Sequence, residues 1–182
     1  MDQGTPTGTR PWLAVGQEID ELLQRIDPTA FEAAANALRD TDRRWFFSGQ
    51  GRSGLAAQMS AMRFMHLGRK VHYVGEVSAP SIRKGDGLLI ISGSGETPVS
   101  LSYARIAKQE GATVVTLTHK PNGSLAKIAD VVLPVPVIDT AQFGGSLFEQ
   151  SSLILLDAIV VDIAASMKDA HATMGFLHTN LQ

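Results

Sequence analysis

Two short segments of this chain carry the residue types that hold an anion. They are Ser48-Gly49-Gln50-Gly51-Arg52-Ser53-Gly54 and Ser92-Gly93-Ser94-Gly95-Glu96-Thr97. Glycine lets the backbone approach a ligand closely and take positive φ. Serine and threonine hydroxyls add donors at fixed positions. Where such a turn opens a helix, unpaired N–H groups and the helix dipole favour negative charge, and a phosphate fits that description. The same residues also serve as ordinary helix caps. Two such turns in one chain tip the reading towards binding.

Both turns need a strand before them and a helix after them, and the hydrophobic pattern supplies both. Arg44-Trp45-Phe46-Phe47 is an apolar run ending at the first turn, and a helix is predicted from Ser53 to about Leu67, stopped by Gly68. Leu88-Leu89-Ile90-Ile91 ends at the second turn, and a helix follows from about Thr97 to Gln109. Lys70–Val74, Thr113–Thr118 and Val131–Val135 read as further strands, the last at an edge because Pro134 cannot donate to a ladder. A long helix runs from about Ser146 to Met167. Two helices, Trp12–Ile26 and Pro28–Leu38, precede the first strand and either cover the sheet or form an oligomer contact. Strands alternating with helices predict an α/β fold: one doubly wound domain, a five-stranded parallel sheet flanked by helices in three layers. In such sheets ligands bind at the carboxyl ends of the strands, where both turns lie.

The 182 residues suit one domain, residues 12–182, behind a loose polar tail of residues 1–11. Apolar residues make up 44% and charged residues 19%, as in a globular protein. A net charge of −2 gives no basic field for nucleic acid, and the absence of cysteine removes disulfides, thiolate metal sites and cysteine nucleophiles. The tail lacks the basic flank and apolar run of a signal peptide, and the apolar stretch Leu153–Ala165 is interrupted by Asp157 and Asp162, so no membrane span is expected and a cytoplasmic location is.

Gly49, Gly51 and Gly54 match the spacing of a dinucleotide fingerprint, with Glu76 near the end of the second strand as the ribose ligand. The serine-rich second turn has no part in such a site.

These segments resemble the sugar isomerase (SIS) family, and within it the 6-phospho-3-hexuloisomerases. The resemblance is carried by Gly51-Arg52-Ser53-Gly54-Leu55, Ala61-Met62-Arg63-Phe64-Met65-His66-Leu67-Gly68, Ile91-Ser92-Gly93-Ser94-Gly95-Glu96-Thr97, Leu125–Val132, Gly145-Ser146-Leu147-Phe148-Glu149 and the tail His178-Thr179-Asn180-Leu181-Gln182. It runs from residue 12 onward; Gln50, Pro98 and Thr179 depart from the family pattern.

The resemblance implies a phosphosugar isomerase that interconverts D-arabino-hex-3-ulose 6-phosphate and fructose 6-phosphate through a cis-enediol. It implies no metal and no organic cofactor, a homotetramer, and 3-hexulose-6-phosphate synthase as functional partner in formaldehyde fixation or detoxification. Moving a carbonyl from C3 to C2 needs one base serving both carbons. Glu149 takes that role under the resemblance; on residue type alone it is a first-turn glutamate complementing a helix dipole. Ser92, Gly93, Ser94, Gly95 and Thr97 would hold the phosphate, with Gly51, Arg52 and Ser53 from the first turn. Arg52 would pair with phosphate or with enediolate charge, and Glu96 would bind a sugar hydroxyl or favour the helix start. His66 and His178 would reach a neighbouring subunit's site, His178 by closing over it or opening the ring form of the substrate. His72, His119 and His171 carry no usable pattern. The alternatives are an isomerase for another phosphosugar such as arabinose 5-phosphate, a non-catalytic phosphosugar sensor, and a dinucleotide-dependent dehydrogenase.

Overall fold

The computed structural model describes residues 10–137 and 139–181; most of the expected tail lies outside them. The elements in chain order are α1 (Pro11–Leu23), α2 (Pro28–Arg39), β1 (Trp45–Gly49), α3 (Arg52–His66), β2 (Val71–Tyr73), β3 (Gly87–Ile91), α4 (Pro98–Gln109), β4 (Thr113–Thr118), α5 (Ser124–Ile128), β5 (Val131–Pro134), α6 (Ser146–Ala165) and α7 (Ala170–Leu177). All five strands are parallel, in the order β2-β1-β3-β4-β5. The α/β architecture read from the sequence is the one observed, with β5 and its Pro134 at the edge.

Alternation along the strands sorts the core into two halves. Trp45, Phe47, Leu89, Ile91, Val115 and Leu117 join a cluster with Leu22 of α1, Ala34, Ala35 and Leu38 of α2, and residues of α3 and α6. Phe46, Leu88, Ile90 and Val114 face the other way, against Ala104 and Ala107 of α4 and Leu125 of α5. Of the two roles open to α1 and α2, the structure shows covering the sheet. The sequence pattern missed two helices. α5 is five residues long, too short to display a period, and α7 packs back on the end of α3, where Leu177 and Thr173 lie over Gly68.

The start of β3 is set by contact with a tryptophan. A Cβ on Gly87 would fall 2.5 Å from the ring of Trp45, which is fully buried and cannot retreat. Overpacking of this kind costs about 1–3 kcal/mol. Gly87→Ala should lower stability by that amount in urea unfolding; an unchanged midpoint would contradict the contact.

Candidate active site

In a sheet ordered 2-1-3-4-5, the chain winds one way from β1 and the other way from β3, and the crevice between these neighbours is where ligands bind. Gly49 at the end of β1 pairs with Ile91 at the end of β3, so the two glycine turns emerge side by side.

In the first turn, Gly51 has φ +57° and caps α3 without a side-chain bond. Gly49 and Gly54 answer a packing need. A Cβ on Gly49 would sit 2.6 Å from the Ser53 carbonyl, and one on Gly54 would sit 2.8 Å from the Gly49 oxygen. The helix thus starts directly against the strand, which accounts for the Gly-x-Gly-x-x-Gly spacing without a dinucleotide. Glu76, the residue that such a ligand would need, is instead held by Nδ1 of His72 at 2.6 Å, and hydrogen bonding to that imidazole keeps its carboxyl below the usual range. Ser53 is buried in the first turn of α3.

The second turn is braced by the chain that leaves β4. The Gly93 oxygen accepts from the Thr118 hydroxyl (2.9 Å) and from the His119 amide (3.2 Å), and the Gly95 oxygen accepts from the Leu125 amide (3.0 Å). The Ser94 hydroxyl accepts from the Glu96 amide at 3.2 Å. Ser92, buried, and Thr97 turn their hydroxyls towards each other at 3.5 Å, and Thr97 caps α4 without a side-chain bond, which leaves that helix start open to a ligand. The Glu96 carboxylate accepts from the Ser124 amide at 2.8 Å, capping α5, and this bond lowers its pKa. That is a structural task for Glu96, distinct from the sugar contact expected. Lys120 lies beside Gly95 and shares an open hollow with Ser94 and Glu96.

The third component arrives on α6. Gly144, at φ +63°, and Gly145 lead into this helix, and the Glu149 carboxylate rests over Gly145, within 3.3 Å of where a Cβ would stand. Glu149 is mostly buried and ion-paired with the Nε of Arg52, joining the first turn of α6 to the first turn of α3. Arg52, Glu149, Gln150, Leu55 and Met59 line a cavity of about 190 Å³. Upstream, the loop into α6 is tied to α1, since Glu18 accepts from the Thr140 hydroxyl (2.6 Å), the Ala141 amide (2.9 Å) and the Gln142 side chain (2.9 Å).

The structure therefore brings Arg52, Ser53, the second turn and Glu149 to one end of the sheet. It does not bring His66 and His178 there. These two stack on each other, centroids 5.3 Å apart, at the far end of α3, about 21 Å along the helix from Arg52. Sequence reasoning passed over His119. Its imidazole lies against Gly93 on one side, with Nδ1 3.3 Å from a Cβ position there, and edge-on to Phe148 on the other. No local pattern announces it, because its neighbours come from other elements.

With this geometry in view, comparison with known proteins is informative. The SIS domain model matches residues 37–172, and the chain belongs to the SIS domain family. Among individual proteins it is similar to the 3-hexulose-6-phosphate isomerase of Mycobacterium gastri, 33% identical with 92% of this chain and 88% of the relative covered. It is 38% identical to that of Bacillus subtilis, covering 75% and 79%. A crystal structure from Methanococcus jannaschii, reported to infer a molecular function of 3-hexulose-6-phosphate isomerase, superimposes with a TM-score of 0.84 at 28% identity over 96% of this chain and all of that one. The resemblance first drawn from the motifs holds, and the dinucleotide alternative falls with it.

Burial, aided by the charges of His178 and Arg63, lowers the pKa of His66 below 6.5, and burial with Lys120 does the same for His119. Below pH 6.5 the unfolded chain takes up protons that the folded one refuses, so stability is full above that value and falls on acidification. His66→Asn should flatten the decline in unfolding midpoint between pH 7 and 5; an unaltered slope would count against burial as the cause.

Proposed function

We propose that this chain is a phosphosugar isomerase that interconverts D-arabino-hex-3-ulose 6-phosphate and fructose 6-phosphate. The observation that carries the substrate assignment is 33–38% identity to 3-hexulose-6-phosphate isomerases over most of both chains. The reaction needs an anchor for the phosphate and a base that can reach two adjacent carbons. The second turn is the anchor: Ser92, Ser94 and Thr97 offer hydroxyls, and the open start of α4 and the Gly93 amide offer backbone N–H groups. Gly51 and Ser53 border it from the first turn. Glu149 is the base. It takes the proton from C2 of the 3-ketose, charge develops on O3, and the O2 hydroxyl proton passes to O3 through the cis-enediol; the same carboxyl returns its proton to C3 as the oxygen on C2 becomes the carbonyl. Arg52 orients that carboxylate and puts a guanidinium where enediolate charge develops. The scheme calls on no metal or organic cofactor.

A homo-oligomer, of four chains, completes this reading. Leu55, Met59 and Met62 are 60%, 50% and 48% exposed, at a spacing that puts them on one face of α3 beginning beside Arg52, and a second copy is what would cover them. His66 and His178 lie too far from their own Glu149 to touch the same sugar, so any part they take is in a neighbour's site. The reaction sits downstream of 3-hexulose-6-phosphate synthase, in formaldehyde fixation or detoxification in the cytoplasm. Among the described residues, no helix is long and apolar enough to cross a membrane.

The test is a coupled assay: ribulose 5-phosphate, formaldehyde and hexulose-phosphate synthase are mixed with the protein and fructose 6-phosphate is followed. No turnover would overturn the substrate assignment. Glu149→Gln should reduce kcat by at least about a thousandfold while fructose 6-phosphate still binds within several-fold of the native affinity; a variant that keeps its activity removes Glu149 as base. Replacing Ser94 and Thr97 with alanine should weaken phosphate binding by about tenfold, in line with two lost hydrogen bonds.

A further inference from the structure

The imidazole of His119 occupies a position that neither the motifs nor the family segments single out. It follows β4, the strand beside β3, and its backbone amide is bonded to the Gly93 oxygen at 3.2 Å. Its Nδ1 approaches Gly93, in the anion-holding turn, and its ring stands edge-on to Phe148 with centroids 6.0 Å apart. Phe148 is the residue immediately before Glu149. The imidazole is thus wedged between the element that would anchor the phosphate and the helix that carries the base. A hexose phosphate held at one end by its phosphate and attacked at C2 and C3 must lay its intervening carbons across that interval. Gly93 permits this close approach: a Cβ there would stand 3.3 Å from His119 Nδ1 and from Phe148.

We propose that His119 is a substrate-contacting residue, its imidazole hydrogen-bonding a hydroxyl on the sugar carbons between the phosphate and the reacting pair. This rests on the isomerase reading above. The chemistry suits the ring. A neutral imidazole carries one donor and one acceptor nitrogen, so it can pair with a hydroxyl in either sense. Burial and the charge of Lys120 lower its pKa, which keeps it neutral at physiological pH; no hydrogen bond from the described residues contributes to that shift. The residue is partly exposed. A contact to a hydroxyl remote from the reacting carbons is made equally in ground and transition states, so it acts on KM and not on kcat.

The test compares native protein, His119→Phe and His119→Asn. Phenylalanine keeps the packing against Gly93 and Phe148 but cannot hydrogen-bond; asparagine restores a donor and an acceptor. Binding of fructose 6-phosphate and of inorganic phosphate is measured by calorimetry, and kcat and KM by the coupled assay. His119→Phe should weaken fructose 6-phosphate by about tenfold and raise KM to match, with inorganic phosphate and kcat within about twofold of native. His119→Asn should recover most of the loss. Equal fructose 6-phosphate affinity in native protein and His119→Phe would overturn the proposal and leave the isomerase reading intact. So would a parallel loss of phosphate affinity or of kcat, because that is what disturbed packing produces. A native protein that binds neither ligand overturns both readings together.

Discussion

The pairing of β1 with β3 is the contact on which the candidate site depends. After β1 the chain leaves for the sheet edge, forms β2 and returns, so strands that are not consecutive become neighbours, and each ends in a glycine turn at the same level. Two helix starts are then aimed into one crevice. Neither turn would be more than a loop if β2 lay between them. The doubly wound order thus brings two glycine turns, each a weak feature alone, into a single crevice with walls on both sides.

The walls are held by different means. On the α3 side, close backbone contact between Gly49 and the Ser53–Gly54 segment sets the helix on the strand with no side chain intervening. On the β4 side the fastening is polar: Thr118, His119 and Leu125 bond to carbonyls of the second turn, and Glu96 returns a bond to α5. This keeps the Gly93 and Gly95 oxygens occupied. The α6 side relies on burial, with Leu147 and Phe148 packed into the core just before Glu149.

How much of this the sequence disclosed follows from the range of each signal. The β-strands were legible because Trp45–Phe47 and Leu88–Ile91 are short continuous apolar runs and Thr113–Thr118 is rich in β-branched residues, as strands buried on both faces require. The turns were legible because glycine and serine mark them locally. The Arg52–Glu149 pair was not, since its partners are 97 residues apart and join only when α3 and α6 pack together. Glu96 has a contact that its local sequence could not disclose. Its position at a helix start suggests a ligand or dipole role, and its carboxylate also accepts from the first amide of α5, a helix too short to show a period. His119 had no pattern around it because its surroundings are entirely tertiary.

Glu18 makes contacts far along the chain from its own helix. This residue sits on α1, well before the segment 37–172 that the SIS domain model recognises, yet its carboxylate gathers the Thr140–Gln142 loop that feeds into α6. In this chain the loop before Glu149 is therefore held by a helix outside that segment. A change at Glu18 would act on the approach to α6 and leave every residue lining the crevice as it is.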